Sequence, residues 1–528
     1  MFLILLVVFI LLLIILAVLQ NRSHKVFFES QGIPYLGHGM LRLIINTLRG
    51  ITINEDVRNQ YAKFKAENHK MAGGKDFGTV ALMILDPELL KSILVKDFDH
   101  FTDRQTFPMA EDDFLLNKMV LTQKGDKWKS LRSKLSPTFT TGKIKRLFPL
   151  FNESGKRMAK FVEQEISRNG EEIDLTLIYS KFTMEVIATA VCGMDSQAFA
   201  SKDPSLFEKM GARLQFSFGI FKVIQLILIL MAPKLANLCR MSLLERDVQD
   251  FFALAIKSSI HDRQAKNEKR NDFIQLMLEA REGKLKTEES ELSSFEKDAI
   301  IKEDKSSEES KISASELLND DVIAANAVLF ILGGYDTTQS VLLFCAYALA
   351  LNPDVQEKLR AEVDTVLEEN DYEFSYDSLN RMTYLEMVIN ETLRFYPPML
   401  TDRGCTKEYK IPGTEFVLKK GQGIIIPVYG LHHDAEYFPE PEKFDPERFS
   451  PENKAKINQY AYIPFGVGPR NCVGMRFALA EVKAAISHLV HNFHIEPSKK
   501  TKIPVKFTTT TVLKPVGGMF LALRKIQH

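Results

Sequence analysis

The sequence predicts a mainly α-helical protein with small β-sheets and one N-terminal helix that anchors the chain in a membrane. Apolar residues recur at helical spacing over most of the 528 residues, whereas strand-like segments are few and short. The first nineteen residues are apolar without interruption. A chain of this length can bury one large core or form two or three domains.

The N-terminal segment Met1–Leu19 has the length of a membrane span, because a helix of this size covers roughly 28 Å against about 30 Å of bilayer hydrocarbon. A cleaved signal peptide is the alternative, but its apolar region usually covers about 7–15 residues and follows basic residues. Here Arg22 and Lys25 follow the apolar run instead, which favours a retained single-pass anchor with a cytosolic body. We expect an anchor at 1–19, a linker or hinge at 20–50 and a globular domain at 51–528.

Periodic apolar patterns predict seven helices in the globular part, and short β-prone runs predict a few strands. The predicted helices are Asp126–Leu135, Ser154–Ile166, Phe182–Val191, Asp247–Ile260, Asp321–Leu351, Asp354–Glu369 and Leu385–Tyr396. The predicted strands are Gly78–Leu85, Tyr409–Ile411, Gly423–Val428 and the region Phe507–Leu523.

Two further segments have unusual compositions. Residues 281–316 are rich in charge and serine, which cannot form a core, so we expect an exposed, disordered insert between two helices. The apolar stretch Phe216–Met231 is short for a span and contains Lys222 and Gln225. It fits either a buried helix or a patch that contacts membrane lipid from one side.

The net charge and the cysteine content favour some classes of protein over others. The formal net charge is zero, which gives no support for binding to nucleic acid, and we expect none. The five cysteines lie far apart without a C-x-x-C pair, so the sequence indicates neither a disulfide framework nor a zinc site. A reducing compartment is the expected location of the body.

Cys472 lies in the glycine-rich stretch "PFGVGPRNCVGMRF", and three interpretations compete. A buried structural cysteine is the commonest. A nucleophile would need a histidine base, yet the nearest, His488, is far along the following helical pattern. A thiolate bound to iron would need a tight loop, a nearby positive charge and backbone N–H groups at the sulfur. Glycines 466, 468 and 474 permit such a loop, Arg470 supplies charge, and the helix beginning near Val473 adds its N-terminal dipole.

The pattern F-G-x-G-x-R-x-C-x-G at Phe465–Gly474 resembles the haem-binding loop of the cytochrome P450 family. Further motifs follow in that family's order and cover nearly the whole chain beyond the anchor. These are Trp128 with Arg132 (W-x-x-x-R), Gly333–Thr338 in the long helix, Glu391 with Arg394 (E-x-x-R) and Pro446–Phe449 (P-E-R-F). The residues in and around these motifs are most similar to those of the branch that contains drug-oxidising microsomal enzymes and thromboxane synthase.

The resemblance implies a cytochrome P450 fold and a haem b (heme b) cofactor whose iron takes Cys472 as its axial ligand, with Phe465 beside it. The implied partners of the haem propionates are Trp128, Arg132, Arg104, Arg403 and Arg470. Trp128 and Arg132 are four residues apart on one helical face, so both can reach one carboxylate.

The resemblance also implies a buried structural network of Glu391, Arg394 and Arg448, although an exposed i, i+3 pair would be the ordinary alternative. Asp336 would relay protons and Thr337 would hydrogen-bond dioxygen in the pocket. The alternative for Thr337 is a bond to its own helix carbonyl. The family usually has Ala-Gly where this chain has Gly333-Gly334, and two glycines suggest a loosened turn.

The implied function is a mono-oxygenase acting on an apolar small molecule (lipid, steroid or xenobiotic) at the endoplasmic reticulum membrane. NADPH-cytochrome P450 reductase is the expected partner, and cytochrome b5 is a second candidate. A haem-dependent isomerase of a lipid peroxide is the first alternative, but it would not need the acid–alcohol pair Asp336–Thr337. A non-catalytic membrane haem protein is the second. The pocket walls expected from the sequence are mostly apolar and name no substrate.

Overall fold

The computed structural model describes residues 15, 18–76, 79–105, 113–194, 196–201, 203–214, 222, 225–226, 228–229, 232–285 and 314–527. The expected anchor Met1–Leu19 therefore lies outside the described residues, apart from Ile15, Val18 and Leu19. The same holds for most of the 281–316 insert. Of the stretch Phe216–Met231, the described Leu226 and Ile229 are buried.

The predicted class, mainly α with small β-sheets, is confirmed. In the described ranges the α-helices, in chain order, are α1 (Gly39–Arg49), α2 (Ile53–Ala66), α3 (Pro87–Lys91), α4 (Gly125–Leu135), α5 (Thr141–Asn169), α6 (Leu175–Cys192), α7 (Leu206–Ala212), α8 (Pro233–Leu238), α9 (Arg246–Lys266), α10 (Phe273–Arg281), α11 (Ala314–Leu317), α12 (Asp320–Leu351), α13 (Pro353–Glu368), α14 (Tyr376–Arg381), α15 (Thr383–Phe395), α16 (Val428–His432), α17 (Pro451–Lys454) and α18 (Met475–Asn492).

Three sheets accompany the helices in the part of the chain that the structure describes. The largest has the strand order β1-β2-β3-β8-β5 and the second β4-β10-β9, while β6 pairs with β7. The strands are β1 (Tyr35–His38), β2 (Met71–Asp76), β3 (Thr79–Ile84), β4 (Glu172–Asp174), β5 (Thr401–Gly404), β6 (Tyr409–Lys410), β7 (Val417–Leu418), β8 (Gly423–Ile426), β9 (Phe493–Pro497) and β10 (Phe520–Lys525).

The 32-residue helix α12 is the centre of the helical core. Its N-cap is Asn319, whose side chain accepts a hydrogen bond from the Val322 N–H. The carboxylates of Asp320 and Asp321 in the first turn interact favourably with the helix dipole. It ends at Leu351, one residue before the Asn352-Pro353 pair that starts the next helix. Helices α6, α9, α15 and α18 pack around it. Because α12 is buried on nearly all sides, its apolar residues show no single face.

The segment 20–50, expected to be a linker, contains parts of the globular body. Strand β1 pairs in parallel with β2, and helix α1 packs on both strands. Phe28 is fully buried and stacks on Phe416 with ring centroids 6.1 Å apart. The packed domain thus begins before residue 51 in the described structure.

Two described helices, α6 and α12, are long and apolar enough to cross a membrane by length and composition alone. Their most apolar windows are 78% and 67% buried inside the protein, respectively. Burial of this extent is typical of core helices, so neither is read as a membrane span.

Helices α5 and α18 cross closely at Gly155. A Cβ atom at this position would overlap the imidazole ring of His488. The His488 Nε2 atom lies 2.8 Å from Asn152 Oδ1, and the ring packs edge-on against Phe374. Gly155 therefore sets how near α18 can approach α5, and α18 directly follows the Cys472 loop.

We predict that Gly155→Ala lowers the thermal unfolding midpoint although alanine is the better helix former by about 1 kcal/mol. The added methyl group overpacks the crossing, which typically costs about 1–3 kcal/mol. Gly333→Ala in α12 is the matched control, since, apart from its own helix turn, no atom of the described residues lies within 4 Å of its added Cβ. An equal or higher midpoint for Gly155→Ala would show that the crossing tolerates the methyl group.

Candidate active site

One large cavity lies between α12 and the Cys472 loop. Its volume is about 520 Å³, and most of its lining is apolar. Leu329, Phe330 and Gly333 contribute from α12, while Phe465 and Cys472 contribute from the loop. The sequence therefore brings the glycine-containing helix and the cysteine loop to one enclosed space.

The Cys472 loop is held by its own backbone. The Cys472 N–H donates to the Phe465 carbonyl at 2.9 Å, and the Gly466 N–H donates to Ile463 at 3.0 Å. Gly468 has φ +77°, and a Cβ there would overlap the Leu94 carbonyl oxygen. Only glycine fits this turn without strain, which explains its place in the motif.

The Cys472 side chain is exposed, but to the cavity. Desolvation by the surrounding protein raises the pKa of the thiol. The Gly474 backbone N–H and the guanidinium groups of Arg132 and Arg104 act in the opposite direction and lower the pKa. A thiol in this setting becomes a thiolate when a cation binds it, since metal ligation requires the deprotonated form.

A cluster of cationic side chains lies beside the loop. Arg104, Trp128 and Arg132 line the cavity, as does Arg470. Arg132 donates to Asn471 Oδ1 at 2.7 Å. The guanidinium of Arg470 stacks on the Trp128 ring at 4.1 Å from its centroid. Its N–H groups donate to backbone carbonyls, so Arg470 also ties the cysteine loop to the body: the acceptors are Thr102, Leu121 and Gln123.

Arg403, on β5, is more deeply buried than Arg104. It is 1% exposed and is not among the residues that line the cavity. Its Nη1 donates to the Asp402 carbonyl at 2.6 Å, and its Nε has no hydrogen-bond partner among the described residues. Arg403 therefore lies behind the cavity wall, where it adds positive potential.

The cationic cluster needs an anion. Burial and then the charge of Arg104 lower the pKa of Arg470 to about 9. The same two causes hold the pKa of Arg403 well below its usual range, and Asp402 only partly offsets them. Asp402 Oδ1 lies 3.5 Å from Arg104 Nη1. Because like charges crowd here, the site fits a ligand with carboxylates at one edge, as haem has.

The predicted network of Glu391, Arg394 and Arg448 is assembled and buried. Arg394 binds both Glu391 carboxylate oxygens, at 2.7 and 2.8 Å, and both side chains are fully buried. Arg448 Nε lies 3.5 Å from Glu391 Oε1, and the Asp445 N–H donates to the same oxygen at 2.9 Å. This arrangement differs from an exposed helix pair.

His432 connects that network to the cysteine loop, a link that the sequence analysis missed. Arg394 Nη1 donates to the His432 carbonyl at 2.9 Å. The Ile463 N–H, just before the loop, donates to His432 Nε2 at 3.0 Å. Burial lowers the pKa of His432 to about 3, so the neutral ring can accept this bond. His432 belongs to none of the sequence motifs, so the sequence did not indicate this role.

The residues of α12 that face the cavity are already bonded within the protein. The Thr337 hydroxyl donates to the Gly333 carbonyl at 2.5 Å, which is the alternative arrangement expected for a mid-helix threonine. Asp336 Oδ1 lies 2.6 Å from Lys514 Nζ. Helix α12 runs continuously through Gly333-Gly334, and a Cβ at Gly334 would approach Ile187 Cδ1 at 2.9 Å. Gly334 thus permits close packing of α6.

Two charged residues near the cavity were not predicted. Lys514 reaches Asp336 from a chain segment 178 residues away, so local spacing gives no indication of the contact. Glu481 on α18 is fully buried, and burial holds the pKa of its carboxyl well above the usual range.

The comparisons with known proteins agree with this geometry. A family model for cytochrome P450 matches residues 41–522. Cytochrome P450 9e2 of Blattella germanica is 35% identical over 535 residues, which cover 97% of this chain and 96% of that protein. Cytochrome P450 6a2 of Drosophila melanogaster is 32% identical with 97% of each chain covered. Cytochrome P450 3A9 of Rattus norvegicus is 34% identical over 86% of this chain and 84% of its own.

We predict that Glu391→Gln destabilises the protein by about 3–5 kcal/mol and lowers its haem content, because it leaves the Arg394 cation buried without its carboxylate. The matched control is Glu357→Gln, which breaks a 2.9 Å pair with Arg360 from a glutamate that is 72% exposed. Thermal unfolding and the haem-to-protein absorbance ratio measure both effects. Equal behaviour of the two variants would contradict a structural role for the network.

Proposed function

The chain belongs to the cytochrome P450 family, and from this premise we propose that it inserts one oxygen atom of O₂ into an apolar small molecule. Members of this family bind haem through a cysteine thiolate and act as mono-oxygenases. The substrate R–H, O₂, NADPH and one proton give R–OH, water and NADP⁺. When bound, haem supplies the iron at which O₂ is reduced.

The observation that carries this proposal is the composition of one cavity. Cys472, the cations Arg104 and Arg132, and Thr337 all line the same 520 Å³ space. A thiol, an anion-binding edge and an apolar volume are what a thiolate-bound haem with a neighbouring substrate requires.

The cofactor would be held by side chains of this chain at two places. Cys472 Sγ would bind the iron, with Phe465 limiting access of water. Trp128, Arg104 and Arg132 would bind the carboxylates, while Arg470 and Arg403 would support them through charge. The loop bonds at Gly466 and Cys472 would keep the sulfur in place while the iron changes charge.

The substrate would be apolar, because the lining residues beyond the cationic edge are mostly aliphatic and aromatic. Val341, Ile389 and Val512 are examples from three different elements. A lipid, a steroid or a xenobiotic fits such a lining, and burial of its apolar surface would provide the main binding free energy.

Proton delivery would depend on Thr337 and Asp336. Thr337 Oγ1 would exchange its bond to the Gly333 carbonyl for one to a polar group or a water in the cavity. Asp336 would take a proton from water at its carboxylate and pass it inward. Both groups line the cavity, which places them within reach of its contents.

The cellular setting follows from the same proposal. The electrons would come from NADPH through NADPH-cytochrome P450 reductase, with cytochrome b5 as a second donor. Met1–Leu19 would anchor the protein in the endoplasmic reticulum membrane, with the catalytic domain on the cytosolic side.

One observation favours the alternative, a haem-dependent isomerase of a lipid peroxide. The Thr337 hydroxyl and the Asp336 carboxylate are both engaged with protein groups. An isomerase requires no proton delivery to dioxygen, so this arrangement would suit it. Consumption of NADPH in the presence of a reductase separates the two reactions, because only the mono-oxygenase needs external electrons.

We predict that the reduced protein gives the carbon-monoxide Soret band of thiolate-ligated haem and consumes NADPH with a reductase. Cys472→Ser should lose both the band and turnover, because a hydroxyl at this position does not supply a thiolate. Cys239→Ser, at an exposed cysteine, is the matched control and should retain both. Full turnover in Cys472→Ser would refute the haem-thiolate assignment, and product formation without NADPH would favour the isomerase.

We predict that Thr337→Ala keeps haem and folded stability but forms less product per NADPH and more hydrogen peroxide. Positioned proton transfer contributes about 10²–10⁴-fold, and water replaces part of it in the variant. Thr365→Ala is the matched control, since its hydroxyl also donates to the carbonyl four residues back, at 2.7 Å, on the exposed face of α13. Unchanged coupling in Thr337→Ala would mean that this hydroxyl serves only its helix.

A further inference from the structure

We propose that Lys514 is a positioning residue for the reaction: its ammonium group holds the Asp336 carboxylate and controls how that carboxylate passes protons to the cavity. This inference rests on the proposed mono-oxygenase function and extends it to a residue in the C-terminal segment.

The ion pair is short and shielded from water. Lys514 Nζ lies 2.6 Å from Asp336 Oδ1, and each side chain is 12% exposed. Removing two charges from water has a large desolvation cost. The pair is stable at this place only if close contact between the two groups offsets that cost. Asp336 is among the residues that line the cavity, whereas Lys514 is not and contacts Asp336 from the surrounding protein.

The backbone around Lys514 is fixed to two walls of the cavity. The Ser340 hydroxyl of α12 donates to the Leu513 carbonyl at 2.7 Å. The Leu513 N–H donates to the Pro398 carbonyl at 3.1 Å, and the Thr508 N–H donates to the Lys514 carbonyl at 2.8 Å. The direction of the Lys514 side chain is therefore set by the fold.

The same loop contacts the space where a substrate would lie. Thr509, Thr511 and Val512 line the cavity, and Val512 bridges to Met399. Lys514 is two residues beyond Val512, so the wall of the cavity and the partner of Asp336 belong to one short segment.

Other polar groups near the pair do not replace Lys514. The Tyr335 ring lies 5.8 Å from Lys514 Nζ, and its hydroxyl is 2.5 Å from Ser180 Oγ. Burial raises the pKa of Tyr335 to about 12, so this phenol stays protonated. The nearby acid Glu208 is paired with the buried Lys181 at 3.4 Å.

The proton balance assigns different tasks to the two residues. The Asp336 carboxylate takes one proton from water, releases it towards Thr337 or a cavity water, and returns to its ionised form. Lys514 takes no part in the transfer itself and orients the carboxylate. Without the ammonium, the carboxylate is no longer held in this direction, and delivery becomes slower.

The test compares Lys514→Met with Lys514→Arg, which retains the charge. We expect Lys514→Met to lower product per NADPH by at least about threefold, with more peroxide and a larger D₂O effect on product formation. The Michaelis constant and haem content should stay near those of the unmodified protein, and Lys514→Arg should restore much of the coupling. Lys502→Met is the matched control, because its Nζ donates to a backbone carbonyl of the same segment, Val516, at 2.8 Å.

A double-mutant cycle with Asp336→Asn shows whether Lys514 acts through Asp336. We expect the double variant to be no less coupled than Asp336→Asn alone, and the two changes to be non-additive in thermal unfolding, which needs no turnover. Normal coupling in Lys514→Met, or additive effects, would overturn this inference alone. Absence of NADPH-dependent product from the unmodified protein would instead overturn the proposed function, and this inference with it.

Discussion

The buried ion pair of Glu391 and Arg394 connects the helical core with the loop that carries Cys472. Arg394 also donates a hydrogen bond to the His432 carbonyl. His432 Nε2 in turn accepts one from the Ile463 N–H, just before the loop. Two charges in this place would be costly alone, but the paired groups satisfy each other and several backbone atoms. The position of the sulfur therefore depends on charges that are remote from the cavity.

At the edge of the cavity, in contrast, positive charge is not balanced by nearby carboxylates. There, guanidinium groups outnumber nearby carboxylates, and Arg104 and Arg470 lower the pKa of Arg403 after burial has done so. The protein stabilises part of this excess by stacking Arg470 on Trp128 and by bonds to backbone carbonyls. The rest is available to an anionic ligand, so folding of the apoprotein and binding of haem should be strongly coupled.

Much of the fold could be predicted from the sequence, since each long helix has an apolar pattern of its own. Helix α12 was expected at 321–351 and observed at Asp320–Leu351. Strand β2, "MAGGKD", was missed because glycines give no β signal, and its partners supply the stability. The members of the site were predicted only through the resemblance. The contacts of His432 and Lys514 could not be foreseen, because they join segments that are distant in the sequence.

Helix α12 contains two polar groups, Thr337 and Asp336, that face the cavity. A hydroxyl and a carboxylate inside an apolar cavity must be satisfied when no ligand is present, since an unpaired buried polar group is costly. The protein meets this demand with the Gly333 carbonyl for Thr337 and with Lys514 for Asp336. The two partners act differently. The Thr337 hydroxyl rotates about one bond and can turn from the Gly333 carbonyl to another acceptor in the cavity. The Asp336 carboxylate is instead held by the charge of Lys514. A hydroxyl that can turn and a carboxylate fixed in direction therefore lie next to each other on α12.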